Sequence, residues 1–244
     1  MPQKISSKII DIDFKVDDLL LSGVLHLPSI ENPPLIIGCH GLGADKESPK
    51  QIALAKAVNA LKMAYFRFDH RGCGESEGDF VKVTTLNGRC RDLRASAEMI
   101  QSRYNIADRV GLFGSSMGGT VCLATAGDLN ADAIVTLAAP VRLGQKPVPS
   151  APEDDSPQLP LEFYKNNLPF DIADRLTGLH NILVIHGEAD TVVPITNAHE
   201  IYAQASEPKQ RLYFKDGDHR ISNPRHQQQF IEAAAKWFAS RLMA

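Results

Sequence analysis

The sequence predicts an α/β fold, with a mostly parallel central sheet carrying helices on both faces. Three observations carry that expectation. Short apolar runs of the buried-strand kind alternate with longer helical patterns for most of the 244 residues. Such alternation implies parallel strands joined by crossover helices. The polar residues able to do chemistry fall just after predicted strands, where ligand groups gather in open sheets of this type.

Two early strands, around Ile9–Val16 and Leu19–Leu27, are separated by Asp17-Asp18 and read as an antiparallel hairpin. Leu35–Cys39 is a buried strand, Pro49 to Lys62 a helix with Ile52, Ala55 and Val58 on one face, and Ala64–Asp69 the next strand. The clearest helix runs from Thr84 to Tyr104. Leu86, Cys90, Leu93, Ala97, Ile100 and Tyr104 recur there at alternating intervals of four and three, which is one face of an α-helix. Val110–Phe113 is a strand, Met117–Ala126 a helix of small residues, and Ala133–Leu137 a strand. Ile182–His186 and Arg211–Phe214 are further strands, with helices near Ile195–Ala205 and over Pro224–Leu242.

The segment from 138 to 179 breaks this rhythm. It holds seven prolines together with Leu161, Phe163, Tyr164 and Phe170. An irregular insertion of that length inside a compact domain reads as a cap over a functional site. The expectation is therefore one domain over residues 1–244 with a cap at about 138–179, whose Leu161, Phe163, Tyr164 and Phe170 face substrate.

Composition narrows the partners. A formal net charge of −3 gives no electrostatic reason to expect nucleic acid. No apolar run approaches the roughly 18 residues of a membrane span, and the N-terminus lacks the apolar core of a signal peptide. The four cysteines form no CxxC pair and no zinc-ligand spacing, so no metal and no disulfide framework is expected. A cytoplasmic monomer or homodimer is the expectation.

Gly114-Ser115-Ser116-Met117-Gly118 lies between a predicted strand and a predicted helix, the context that gives a GxSxG match meaning. Ser116 has glycine two residues to either side, whereas Ser115 has Phe113 and Met117, so sterics select Ser116 as nucleophile. A serine needs a base, and His219 in Gly217-Asp218-His219 follows the last strand. The orienting acid is expected after Ile182–His186, at Asp190, with Glu188 in reserve. The order Ser116, Asp190, His219 is the one that accompanies a nucleophile elbow. Two backbone N–H groups should bind the oxyanion, that of Met117 and that of Leu42 in His40-Gly41-Leu42-Gly43. His40 reads as a structural residue of that loop. This chemistry requires no cofactor.

With these motifs in family order across most of the chain, the sequence resembles α/β-hydrolases of the esterase and serine-peptidase-like group. The matching pieces are His40-Gly41-Leu42-Gly43, Asp69 to Ser76, Gly114 to Gly119, His186-Gly187-Glu188-Ala189-Asp190 and Gly217-Asp218-His219. Lys46 and the short insertion bring it nearest to small carboxylesterases, including feruloyl esterases. Many members carry a bulkier residue where this chain has Ser115. The resemblance implies that Asp69 and Arg71 brace a turn near the site. It also implies hydrolysis of a small-molecule ester through an acyl-enzyme, with amide or thioester cleavage by the same triad as the alternative. A non-catalytic binding protein on the same fold is the reading from a different class. A dehalogenase or epoxide hydrolase is disfavoured, since those members carry aspartate where Ser116 stands.

Overall fold

The computed structural model describes residues 7–143, 159 and 161–243. Its elements run β1 (Lys8–Val16), β2 (Leu19–Leu27), β3 (Leu35–Cys39), α1 (Pro49–Ala60), β4 (Ala64–Phe68), α2 (Phe80–Val83), α3 (Leu86–Arg103), β5 (Val110–Ser115) and α4 (Met117–Thr125). There follow β6 (Ala133–Leu137), β7 (Arg142–Leu143), α5 (Leu161–Asn167), β8 (Phe170–Asp171), a 3₁₀ turn (Ala173–Arg175), β9 (Ile182–Gly187), α6 (Thr196–Gln204), β10 (Lys209–Phe214) and α7 (Pro224–Leu242). One eight-stranded sheet has the order β1-β2-β4-β3-β5-β6-β9-β10. The β1–β2 and β2–β4 pairings are antiparallel and the rest are parallel. The predicted class and the hairpin at Asp17-Asp18 are both found.

Alternation along the central strands sorts their side chains into two cores, because successive residues of a strand point to opposite faces. Leu35, Ile37, Phe66, Leu112, Ile134 and Val184 face one side, with Leu93, Ala97 and Ile100 of α3, Val121 of α4 and Ile201 of α6. Ile36, Tyr65, Phe113, Val135 and Ile185 face the other, with Leu54 and Val58 of α1 and Phe230, Trp237 and Phe238 of α7. Strands covered on both faces read as continuous apolar runs, which is why periodicity finds them but cannot say which residue faces which layer.

From β3 the chain steps to β4 on one side and later to β5 on the other. The loops after β3 and β5 therefore diverge, and a crevice opens between them at the carboxyl ends of the strands. The loops after β9 and β10 leave the same end of the sheet.

The 138–179 segment differs from its expected irregularity. Its described part contains α5 and a short antiparallel ladder between β7 and β8. Val141, Ile172, Leu176 and Leu179 pack into the main core, so both ends of the segment belong to the body of the fold. Prolines hide this from the sequence, because they mark turns without showing that the leucines between them are buried. Residues 144–158 and 160, and the side chain of Leu161, lie outside the described residues. No described helix is long and apolar enough to cross a membrane.

Candidate active site

β5 ends at Ser115 and α4 begins at Met117, so Ser116 alone makes the strand-to-helix turn. Its φ of 52° and ψ of −124° lie where L-residues are rarely found. The turn is held by close backbone packing. A Cβ on Gly114 would overlap the Gly118 carbonyl, and one on Gly118 would overlap the Cys39 carbonyl at the end of β3. That is the physical basis of the glycine register around Ser116.

Ser116 Oγ lies 3.1 Å from His219 Nε2, and His219 Nδ1 lies 2.8 Å from Asp190 Oδ2. Asp190 Oδ1 accepts the Val192 and Val193 N–H groups, each at 2.8 Å. Burial alone would push the Asp190 carboxyl up, but the His186 and His219 rings and the Val193 amide hold it well below the usual carboxylate range. An ionised Asp190 can only accept, so the proton on His219 sits at Nδ1 and Nε2 is left to accept a hydrogen bond from the Ser116 hydroxyl. Glu188 is exposed, and Asp190 is the carboxylate at the ring.

The loops that carry Asp190 and His219 are tied together, with Ala189 N–H donating to the Gly217 carbonyl at 3.0 Å. Lys50, at the start of α1, donates from Nζ to the Arg220 carbonyl at 2.9 Å, one residue beyond His219. Burial lowers the Lys50 amine to about 8, against the pull of Asp218. Sequence reading missed Lys50, which is 170 positions away from Arg220.

The loop after β3 comes up against Ser116, since a Cβ on Gly41 would stand 3.4 Å from Ser116 Cβ. Met117 N–H heads α4, where no intrahelical acceptor exists. Neither it nor Leu42 N–H donates to a protein acceptor among the described residues. His40 holds the loop. Its Nδ1–H donates to the Gly41 carbonyl at 2.8 Å and its Nε2 accepts the His70 N–H at 3.0 Å. Burial, then the Arg89 charge, keeps that ring neutral. Arg89, fully buried on α3, donates to the His40 and Gly41 carbonyls at 3.3 Å each. Its helix was predicted from the apolar face, but a buried arginine on a second face leaves no periodic signal.

Asp69 and Arg71 brace neighbouring loops. Asp69 accepts the Lys46 N–H at 2.6 Å, Lys46 Nζ at 2.7 Å and the Glu75 N–H at 2.9 Å. Arg71 pairs with buried Asp92 at 2.7 Å and with Asp17 at 3.0 Å.

Three of the predicted substrate residues, Phe163, Tyr164 and Phe170, gather beside the turn. Met117, Phe163 and Leu168 form a buried cluster, flanked by Leu42, Phe80, Tyr164 and Phe170. Phe163 is only 3% exposed and stacks on Phe80 at 5.5 Å, so it acts as a base under this wall. Tyr164 and Phe170 are half-buried and retain surface to offer. Among the described residues no group of three or more His, Cys, Asp or Glu side chains could hold a metal ion.

With this geometry in view, the chain can be set beside known proteins. Residues 31–157 match the Hydrolase_4 family, described as serine aminopeptidase, S33. An uncharacterized protein, YfhR from Salmonella typhi, is 30% identical over 166 residues, which cover 63% of this chain and 54% of that protein. The chain thus spans about half the length of the curated relatives it matches. Among solved structures, Est1E from Butyrivibrio proteoclasticus with ferulic acid bound superposes with a TM-score of 0.80 at 19% identity, over 96% of this chain and 100% of that one. An esterase from Pyrococcus furiosus superposes with a TM-score of 0.81 at 17% identity, over 99% of this chain and 94% of that one. The family match includes the loop after β3 and Ser116 and ends before Asp190 and His219. It covers more than half of the residues, and with the sheet order and neighbours above, the chain has the α/β-hydrolase fold and belongs to the Hydrolase_4 (serine aminopeptidase, S33) family.

Proposed function

We propose that this protein is a serine hydrolase that cleaves carboxylic esters of small to medium size, with an apolar or aromatic group, through an acyl-enzyme. The observation that carries this is the continuous line from Ser116 Oγ through His219 to Asp190, at 3.1 and 2.8 Å. Ser116 Oγ attacks the ester carbonyl while His219 Nε2 takes its proton. The Met117 and Leu42 N–H groups receive the oxyanion, a role in which one donor is worth about 10²–10³ in rate. His219 returns the proton to the departing alcohol, and water attacks the acyl-enzyme by the same steps in reverse order. Tyr164 and Phe170 would take the apolar part of the substrate, with the 138–179 segment as the cap.

What supports an ester is the esterase identity of structural neighbours; what supports an amide is the family's description as an aminopeptidase. A panel of p-nitrophenyl esters, acyl thioesters and aminoacyl p-nitroanilides separates them. We expect burst release of p-nitrophenol from short-chain esters, and its loss by a factor on the order of 10⁶ in Ser116→Ala. Turnover of anilides alone would replace the ester reading with the peptidase one. A folded protein that turns over nothing and resists a fluorophosphonate probe would overturn both and favour a binding role.

A further inference from the structure

His186 is the last residue but one of β9, four residues before Asp190, and is fully buried. Its Nε2 lies 2.8 Å from the Val193 carbonyl and 3.3 Å from Asp190 Oδ2, the same oxygen that meets His219. The Val193 carbonyl can only accept, so the His186 proton sits on Nε2. Its Nδ1 is buried with no hydrogen-bond partner among the described residues. An N–H there would lose its water without replacement, whereas a bare lone pair loses less. The ring is therefore the Nε2–H tautomer, a fixed donor.

We propose that His186 is a positioning residue for the Ser116 site, its Nε2–H shared between the Val193 carbonyl and the Asp190 carboxylate so that the acid is held in line with His219. The inference rests on the serine-hydrolase reading above. Around Asp190 the donors are then His219 Nδ1, His186 Nε2 and the Val192 and Val193 amides. A further charged group coupled to it is Lys50 on α1, which itself feels Asp218 and Arg220 beside His219. His186 acts at two points of one turn. It anchors the Val193 carbonyl while the Val193 amide anchors Asp190, so the carboxylate cannot rotate without breaking a buried bond. It also draws on the same oxygen as His219. Removing it leaves that oxygen a stronger acceptor for the His219 Nδ1 proton, which favours the protonated ring.

The test compares His186→Leu with His186→Gln, whose amide can replace the lost donor. With a p-nitrophenyl ester, the leucine variant should lose about tenfold or more in kcat at unchanged KM, the effect of one hydrogen bond to a charged group. The acid limb of its kcat/KM profile should move to higher pH. Glutamine should restore most of kcat and return the limb. Equal loss in both variants with an unmoved acid limb would overturn the proposal, as would a leucine variant with wild-type kinetics. A second measurement needs neither variant to fold. In ¹⁵N-histidine-labelled wild-type protein, the nitrogen shifts of His186 should show its proton on Nε2. An Nδ1–H tautomer would overturn the proposal. Absence of wild-type turnover would count against the serine-hydrolase reading alone and leave this tautomer measurement to decide.

Discussion

Ser116, Asp190 and His219 come from three loops of one sheet end, and each depends on a different local force. Ser116 is held by a backbone that glycine alone permits on either side. Asp190 is held by amides of its own turn and His219 by a carboxylate. Asp190→Asn would keep the volume but offer an amide where His219 needs an acceptor. We expect kcat to fall by about 10⁴ with the fold intact, measured by ester turnover beside circular dichroism. At this scale the sequence was most legible, since residue type, flanking glycines and chain order named the three side chains. Lys50, Arg89 and His186 were not legible as site residues. Their partners are carbonyls and carboxylates brought close by folding, and a carbonyl has no sequence signature.

Elements meet at the site through backbone contact more than through side chains. α4 lies so close to the end of β3 that a methyl group at Gly118 would overlap the Cys39 and His40 carbonyls. Gly118→Ala should cost about 3 kcal/mol or more by urea denaturation, since backbone cannot move aside as a flexible side chain can. A second coupling joins β2 to β4, where Arg67 Nε donates to His26 Nε2 at 3.1 Å. Burial first, then the Arg67 charge, lowers the His26 ring from 6.5 to about 4. The unfolded chain then takes up a proton below pH 6.5 that the folded chain refuses until about pH 4. Stability should therefore decline as pH falls through that window. His26→Gln, which retains an acceptor for Arg67, should flatten the decline in thermal melts between pH 4 and 6.5.

Across the whole molecule, the two cores share one sheet, so neither face can be exposed without stripping the strands that support the other. We expect one cooperative unfolding transition, with Trp237 fluorescence and far-UV circular dichroism coincident in urea. Trp237 suits the purpose, as the single tryptophan, buried on α7 with its Nε1–H donating to the Asn181 carbonyl at 3.1 Å. Transitions that separate would show that part of the chain, the 138–179 segment first, unfolds on its own.

The sequence by itself determined the class of fold, the order of the strands along the chain and the strand-to-helix turn at Ser116. These follow from local rules: apolar runs of strand length, helical spacing and glycines where a Cβ would collide. Only the tertiary structure decided which layer each strand residue faces, that the ends of the 138–179 segment join the main core, and that Phe163 is buried against Met117 and Leu168. It also decided which carboxylate meets His219. The reason is common to all four, because each depends on distances between residues far apart in the chain, and periodicity reports only on neighbours.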